Sequence, residues 1–175
     1  MTYPRVIHSA QALVDEVFRV PNLPERGQNV MAGEHHRYAA SAVTTLLAAA
    51  RSGAACVHAG AHGTGPNGDL IRSVLGAAGV ALSAPPVPDL DTGVCVVLVE
   101  PSAERTFVTT RGAERHITPA SLATSSPRAG DVVCVSGYTL LEPTRDPLLT
   151  WLADLPEDVV VVLDPGAAFA GLPAQ

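Results

Sequence analysis

Short runs of β-branched residues alternate along this chain with Ala- and Leu-rich runs of helical length, and that alternation restricts the fold more than any other feature. Val6-Ile7 opens a first strand, residues 55–59 read as a buried strand, and residues 131–136 and 158–163 read as two more buried strands. Between them, residues 39–52 read as a helix stopped by Gly53, and residues 69–78 as a helix with Asp69 near its start and Gly79 past its end. Asp146-Pro147 begins a third helix, Asp as N-cap and Pro at the first helical position. A short strand at 80–83 precedes the Pro-rich loop APPVPD. Strands separated by helices pair in parallel, in a sheet covered on both faces.

Two segments break the rhythm. Residues 14–20 and 29–38 flank the turn PNLPERG, and residues 93–99 and 105–110 flank EPSAE. Both pairs read as antiparallel ribbons inserted between βα units, together making a small secondary sheet that stands off the main one. The 175 residues suffice for one substantial domain with its own core. A net charge of −6 with few, scattered basic residues argues against nucleic acid as a partner. The longest nearly uncharged apolar stretch, residues 38–50, is shorter than the roughly 20 residues of a spanning helix, so no membrane partner is expected. Cys56, Cys95 and Cys134 are far apart in strand-like runs with no C-x-x-C, which suits buried thiols in a reducing, cytoplasmic setting.

The stretch GAHGTGPNGDL (60–70) satisfies G-x-G-x-x-G at Gly63, Gly65 and Gly68, between a strand and a helix. A dinucleotide site also requires an acidic residue at a strand end about 20 residues on. The acids at about that distance, Asp89 and Asp91, fall in the Pro-rich loop instead. The glycines therefore serve something other than a pyrophosphate.

The order of motifs resembles the ribokinase-like (PfkB) carbohydrate kinases over residues 4 to 173. The first strand leads to an acid in Ala12-Leu13-Val14-Asp15, followed by the turn Leu23-Pro24-Glu25-Arg26-Gly27 and a helix ending Ala50-Arg51-Ser52-Gly53-Ala54. The glycine loop with Gly60, Gly63 and Gly68 comes next, then Thr92-Gly93, Glu104-Arg105-Thr106, Gly112-Ala113 and Val162-Leu163-Asp164-Pro165. The resemblance implies a three-layer α/β/α, Rossmann-like parallel sheet with a small antiparallel β-sheet lid. Residues 1–13, 39–91 and 112–175 would form the core, incomplete at its C-terminal end, and residues 14–38 and 92–111 the lid.

The resemblance carries Asp15 over as the acceptor of sugar hydroxyls. The family's Gly-Gly pair and following Asn are represented by Ala39-Ala40-Ser41-Ala42-Val43-Thr44, so Ala or Ser, Ser41 among them, fills the glycine positions and Thr44 stands at the Asn position. By the same resemblance Gly63 would bring backbone close to the sugar. The family's Asp two residues after it is replaced by Gly65, with Asn67 as a partial polar substitute. Tyr138 sits where core-strand ends face the ligand crevice and would pack on a sugar ring or on the protein. Arg105 and Arg111 would meet an anionic substituent or pair with Glu104 and Glu114 at the surface. The polar run Glu34, His35, His36 and Arg37 reads as an exposed lid edge. His58 and His62 flank the glycine loop without a third ligand nearby in sequence, and no metal site is expected.

The family's late Asp-Thr-x-Gly-Ala-Gly-Asp segment, which supplies the anion hole and catalytic base, does not occur here. No catalytic residue is therefore assigned, and this chain alone is expected not to transfer phosphate. ATP and Mg2+ belong to the complete family member and neither is expected on this chain. Two readings stay open: a substrate-binding and lid half of a longer kinase, with Pro173 in an ordinary loop, or a truncated, noncatalytic sugar-binding or dimerisation module. The expected partner is a small sugar, and the exposed lid strands leave room for pairing with a second copy of the chain through the lid.

Overall fold

The computed structural model describes residues 4–172; Pro173 lies outside the described residues. In chain order the elements are β1 (Arg5–His8), β2 (Ala12–Arg19), β3 (Glu34–Ser41), α1 (Ala42–Arg51), β4 (Ala55–His58), α2 (Pro66–Ala77) and β5 (Ala81–Leu82). They continue with β6 (Val94–Val99), β7 (Arg105–Thr109), α3 (Pro119–Ala123), β8 (Val132–Ser136), α4 (Arg145–Ala153) and β9 (Val160–Asp164).

Five strands in the order β5-β4-β1-β8-β9 form a wholly parallel sheet. Successive side chains alternate between its faces. Ile7, Val57, Val133 and Val135 meet Leu122 of α3 and Leu148 and Trp151 of α4 on one side. Val6 and Cys56 meet Val43 and Leu46 of α1 and Ile71 and Leu75 of α2 on the other. Helices on both faces make the expected three layers, and each fully buried Leu or Ile contributes about 1.5–3 kcal/mol.

The second sheet has the order β3-β2-β6-β7. Its ribbons, β2–β3 and β6–β7, are antiparallel, but β2 pairs with β6 in parallel. The lid is thus mixed, rather than antiparallel throughout. Both ribbons begin with a strand running out from the core, so the two outbound strands point the same way where they meet.

Several boundaries differ from the sequence expectation. Residues 39–41 continue the β3 ladder, Ala39, Ala40 and Ser41 facing Val14, Leu13 and Ala12, and helix α1 begins only at Ala42. Cross-strand pairing outweighs the helix propensity of those alanines. Helix α2 starts at Pro66, three residues before Asp69, because Pro is pre-set for the first helical position. Strand β9 reads as buried by its composition, whereas a core incomplete at its C-terminal end makes it an apolar edge. It pairs only with β8, and Val160 to Leu163 remain 48–55% exposed on both faces. An apolar run does not distinguish a central strand from an edge that no helix covers.

Candidate active-site crevice

In a parallel sheet the ligand crevice lies beyond the carboxyl ends of the strands. Here those ends lead into the link Ser9–Gln11 after β1, the glycine loop after β4, a 3-10 turn (Gly137–Leu140) after β8 and Pro165 after β9. Gln11 joins the first of these parts to the turn after β8 and to the start of α1. It is buried, its carbonyl accepts the Ala42 amide at 3.1 Å, and its Oε1 accepts the Thr139 hydroxyl at 3.2 Å. Its side-chain NH2 has no acceptor among the described residues. Sequence reading missed Gln11, because a polar residue between two strands carries no local signature.

Asp15 lies on β2 between Tyr38 of β3 and Cys95 of β6. It is half-buried, no donor among the described residues reaches its carboxylate, and burial pushes its pKa up. The neighbouring Cys95 thiol is also pushed up, by burial and by the Asp15 charge, although the Thr109 hydroxyl donates to Cys95 Sγ at 3.2 Å. Ser41 faces Ala12 and precedes α1 with φ 59° and ψ −119°, a backbone region that favours glycine. It makes no side-chain cap hydrogen bond, so its hydroxyl is exposed and free for a ligand. Thr44 follows on the exposed first turn of α1. Tyr138 is 48% exposed in the turn after β8, while the Arg115 guanidinium holds the carbonyls of Tyr138, Leu141 and Glu142. Gln11 thus ties the start of α1, next to Ser41, to the turn that carries Tyr138, while Asp15 stands further out along β2 and Thr44 on the first turn of α1.

The glycine loop is closed by protein rather than open to a ligand anion. The Gly63 amide donates to Thr92 Oγ1 at 2.9 Å, the Thr64 amide donates to the Leu90 carbonyl at 3.0 Å, and Arg72 donates to the Gly63 carbonyl. Asp91, passed over in sequence as a loop acid, reaches the N-terminus of α2. Its carboxylate accepts the amides of Asn67 at 3.0 Å, Gly68 at 2.9 Å and Thr92 at 2.7 Å. Burial raises the Asp91 pKa, but the amides of Gly68, Asn67 and Thr92 outweigh it and hold the carboxyl below its ordinary range. Gly65 is required here because a Cβ would collide with the Asp91 carboxyl group. A resident carboxylate fills the helix N-terminus that a pyrophosphate would need, which gives the rejection of a dinucleotide site a structural basis. Asn67 is not a free polar substitute either: its amide donates to the Thr92 carbonyl at 2.8 Å and its Oδ1 accepts from Arg37.

One further expectation changes, and the polar run 34–37 lies on an exposed lid edge as expected. Glu114, expected as a surface ion-pair partner, is 2% exposed and accepts the backbone amides of Gly93 and Gly112, each at 2.8 Å. Arg37 and His35 on the exposed β3 edge pair with Glu16 at 2.9 Å and 2.6 Å. Under the crevice lie three buried histidines, His8, His58 and His62. Both ring nitrogens of His58 lack a partner, as does Nδ1 of His62. Burial, then the neighbouring His8 and His62, lowers His58 to about 3, and burial lowers His8 to about 4. Among the described residues no group of three or more His, Cys, Asp or Glu side chains is placed to hold a metal ion.

A parallel sheet flanked by helices and joined to a small mixed β-sheet lid describes a ribokinase-like fold. Residues 11–165 match the model of the pfkB family carbohydrate kinases, and the chain belongs to that family. It is 29% identical over 163 residues to the uncharacterized sugar kinase YegV of Escherichia coli (strain K12), covering 93% of this chain and 50% of that protein. Among solved structures it is similar to ribokinase from Cryptococcus neoformans var. grubii serotype A in complex with ADP. That likeness has a TM-score of 0.75 and 21% identity over 95% of this chain and 51% of that one. Fructokinase from Vibrio cholerae O395 gives 0.74 and 21% over 94% and 54%. The chain spans about half the length of these relatives.

Proposed function

We propose that this chain is the substrate-binding and lid half of an ATP-dependent carbohydrate kinase, with Asp15 as the acceptor of sugar hydroxyls. The observation that carries the reading is Asp15 itself. A half-buried carboxylate without a donor among the described residues, set on the lid strand above the crevice, is costly unless a ligand supplies the donors. Two hydroxyls of a sugar would supply them. Ser41, Thr44, Tyr138 and the Gln11 amide offer further polar or stacking contacts, whereas the Gly63 amide and carbonyl are already bonded to Thr92 and Arg72; core segments 1–13, 39–91 and 112–175 with lid segments 14–38 and 92–111 frame the site.

The N-terminus of α2 does not fit a nucleotide phosphate. The N-terminus of α2, beside the crevice, holds the Asp91 carboxylate, and an added phosphate would meet like charge there. No step is therefore assigned to nucleotide or Mg2+ on this chain, and both are proposed to sit on a separate half of the fold. The exposed apolar strand β9 favours such a neighbour and equally favours the second reading, a noncatalytic sugar-binding or dimerisation module. Half-exposed Tyr38, Phe107 and Val108 on the lid support pairing between two copies. The three free cysteines suit a reducing compartment such as the cytoplasm. No described helix is long and apolar enough to cross a membrane.

The test is calorimetric titration of the 175-residue chain with a panel of neutral sugars and nucleosides, with and without Asp15→Asn. The expected result is binding by the parent chain that weakens at least about tenfold in the variant. Asp15→Asn also removes a half-buried charge, so the ligand-free variant should melt no lower than the parent. Equal binding by both proteins would overturn the role of Asp15. ADP release by the purified chain with any sugar would overturn the assignment of the nucleotide to a separate half.

A further inference from the structure

Both crossings between the core and the second lid ribbon pass through one buried carboxylate. The backbone enters β6 just after Gly93 and leaves the lid, after β7, at Gly112. Glu114 accepts the Gly93 amide on Oε2 and the Gly112 amide on Oε1, both at 2.8 Å. The crossings are also in direct contact. A Cβ on Gly112 would lie 2.6 Å from the Asp91 carbonyl oxygen and 2.9 Å from the Thr92 carbonyl carbon. Beside them, the Ala113 amide donates to that same Asp91 carbonyl at 2.9 Å.

The clamp reaches the first ribbon through the same residue. The Gly93 carbonyl accepts the amide of Val14 at 3.2 Å, and Val14 immediately precedes Asp15. Val14 then pairs with Val94, and Asp15 with Cys95. One continuous set of bonds thus runs from the Glu114 carboxylate through both sides of the Gly93 peptide to the backbone that carries Asp15.

We propose that Glu114 is a positioning residue that fixes the lid on the core and, through Gly93 and Val14, sets where the Asp15 carboxylate stands above the crevice. A carboxylate suits this task because it has two acceptors and no donor, so it holds two amides at once. A carboxamide presents one oxygen and one NH2, and whichever amide faces the NH2 loses its bond and meets another donor. The inference rests on the reading of Asp15 as the hydroxyl acceptor, but its test uses no sugar, so failure of one is distinguishable from failure of the other.

The experiment compares Glu114→Gln with the parent chain by hydrogen exchange and by following the Asp15 carboxyl through a pH titration by NMR. Ile7→Val, which trims the core on the α3–α4 face, is the control for general loosening. In Glu114→Gln the amides of β2, β6 and β7 are expected to exchange at least about tenfold faster, while β1, β4 and β8 keep their protection. The raised pKa of Asp15 is expected to move toward the ordinary carboxylate value as the lid loosens. In Ile7→Val the Asp15 titration should not move. Equal loosening of both sheets with Asp15 unmoved, or no change at all, would overturn the proposal. If Glu114→Gln fails to fold, Gly112→Ala decides by the same criteria, since its Cβ forces the crossings apart while leaving the carboxylate intact.

Discussion

Acidification from about pH 7.5 to about pH 5 should remove much of this chain's stability through two histidines. His58 is fully buried with neither ring nitrogen bonded, and His8 is 7% exposed in the next strand. Their ordinary value is 6.5, and in the fold they fall to about 3 and about 4. Both are lowered, so their contribution is fully present above about pH 6.5 and is lost as pH falls below it toward those values. At pH 5 the unfolded chain binds a proton on each that the native chain refuses, a loss of about 2 kcal/mol per histidine. His8 and His58 face each other, so about 4 kcal/mol is the upper bound for the pair. His62, lowered by burial and by Arg72, acts in the same direction. Asp164 beside His8 opposes the effect, and protonation of Asp15, whose pKa is raised, offsets part of it. The lowered carboxyls of Asp91 and Asp131 lose their contribution only below their ordinary value of 3.8, outside this window.

For 175 residues such a loss corresponds to a fall in Tm on the order of 10 °C. The single Trp151, 4% exposed against the α3–α4 side of the sheet, reports urea unfolding by its fluorescence. His58→Leu should abolish about half of the pH dependence, and it should not weaken the fold at pH 7.5 because it removes two unpaired polar atoms. A parent chain equally stable at both pH values, or a variant with an unchanged pH slope, would refute the reasoning.

Ser41→Gly should raise stability by about 1 kcal/mol, since φ 59° is strained for serine and ordinary for glycine; an unchanged urea midpoint would count against that strain. Asp91→Ala should cost about 1–3 kcal/mol, because the amides of Asn67, Gly68 and Thr92 lose their shared acceptor. Gly65→Ala should destabilise through the same contact, and the double variant should recover part of the loss; strict additivity in thermal melts would contradict the packing of Gly65 on Asp91.

The fold was legible because its cues are local. Short β-branched runs, and Gly53 and Gly79 after Ala- and Leu-rich helical runs, act within a few residues of themselves. The parallel core, its flanking helices and the two lid ribbons follow from those cues. Boundaries failed where a partner strand overrode propensity, as at Ala39, Ala40 and Ser41, which complete β3 instead of starting a helix. Composition misleads at β9 for a related reason: Val160 to Leu163 read as a central strand, and only the resemblance, with its core incomplete at the C-terminal end, marks them as an edge.

The residues themselves determined that Asp15 would stand on an outbound lid strand and that the loop at 60–68 would need glycine. Tertiary structure alone decided why it needs glycine. Asp91 lies 26 positions beyond Gly65, yet its carboxyl occupies the space a side chain at 65 would take. Glu114 reads in sequence as one more surface acid, and becomes a clamp only because folding brings Gly93 and Gly112 together on its two oxygens. Partners so distant along the chain leave no periodicity to read. A carboxylate's role is set by which amides the fold delivers to it, and that is a property of the assembled backbone.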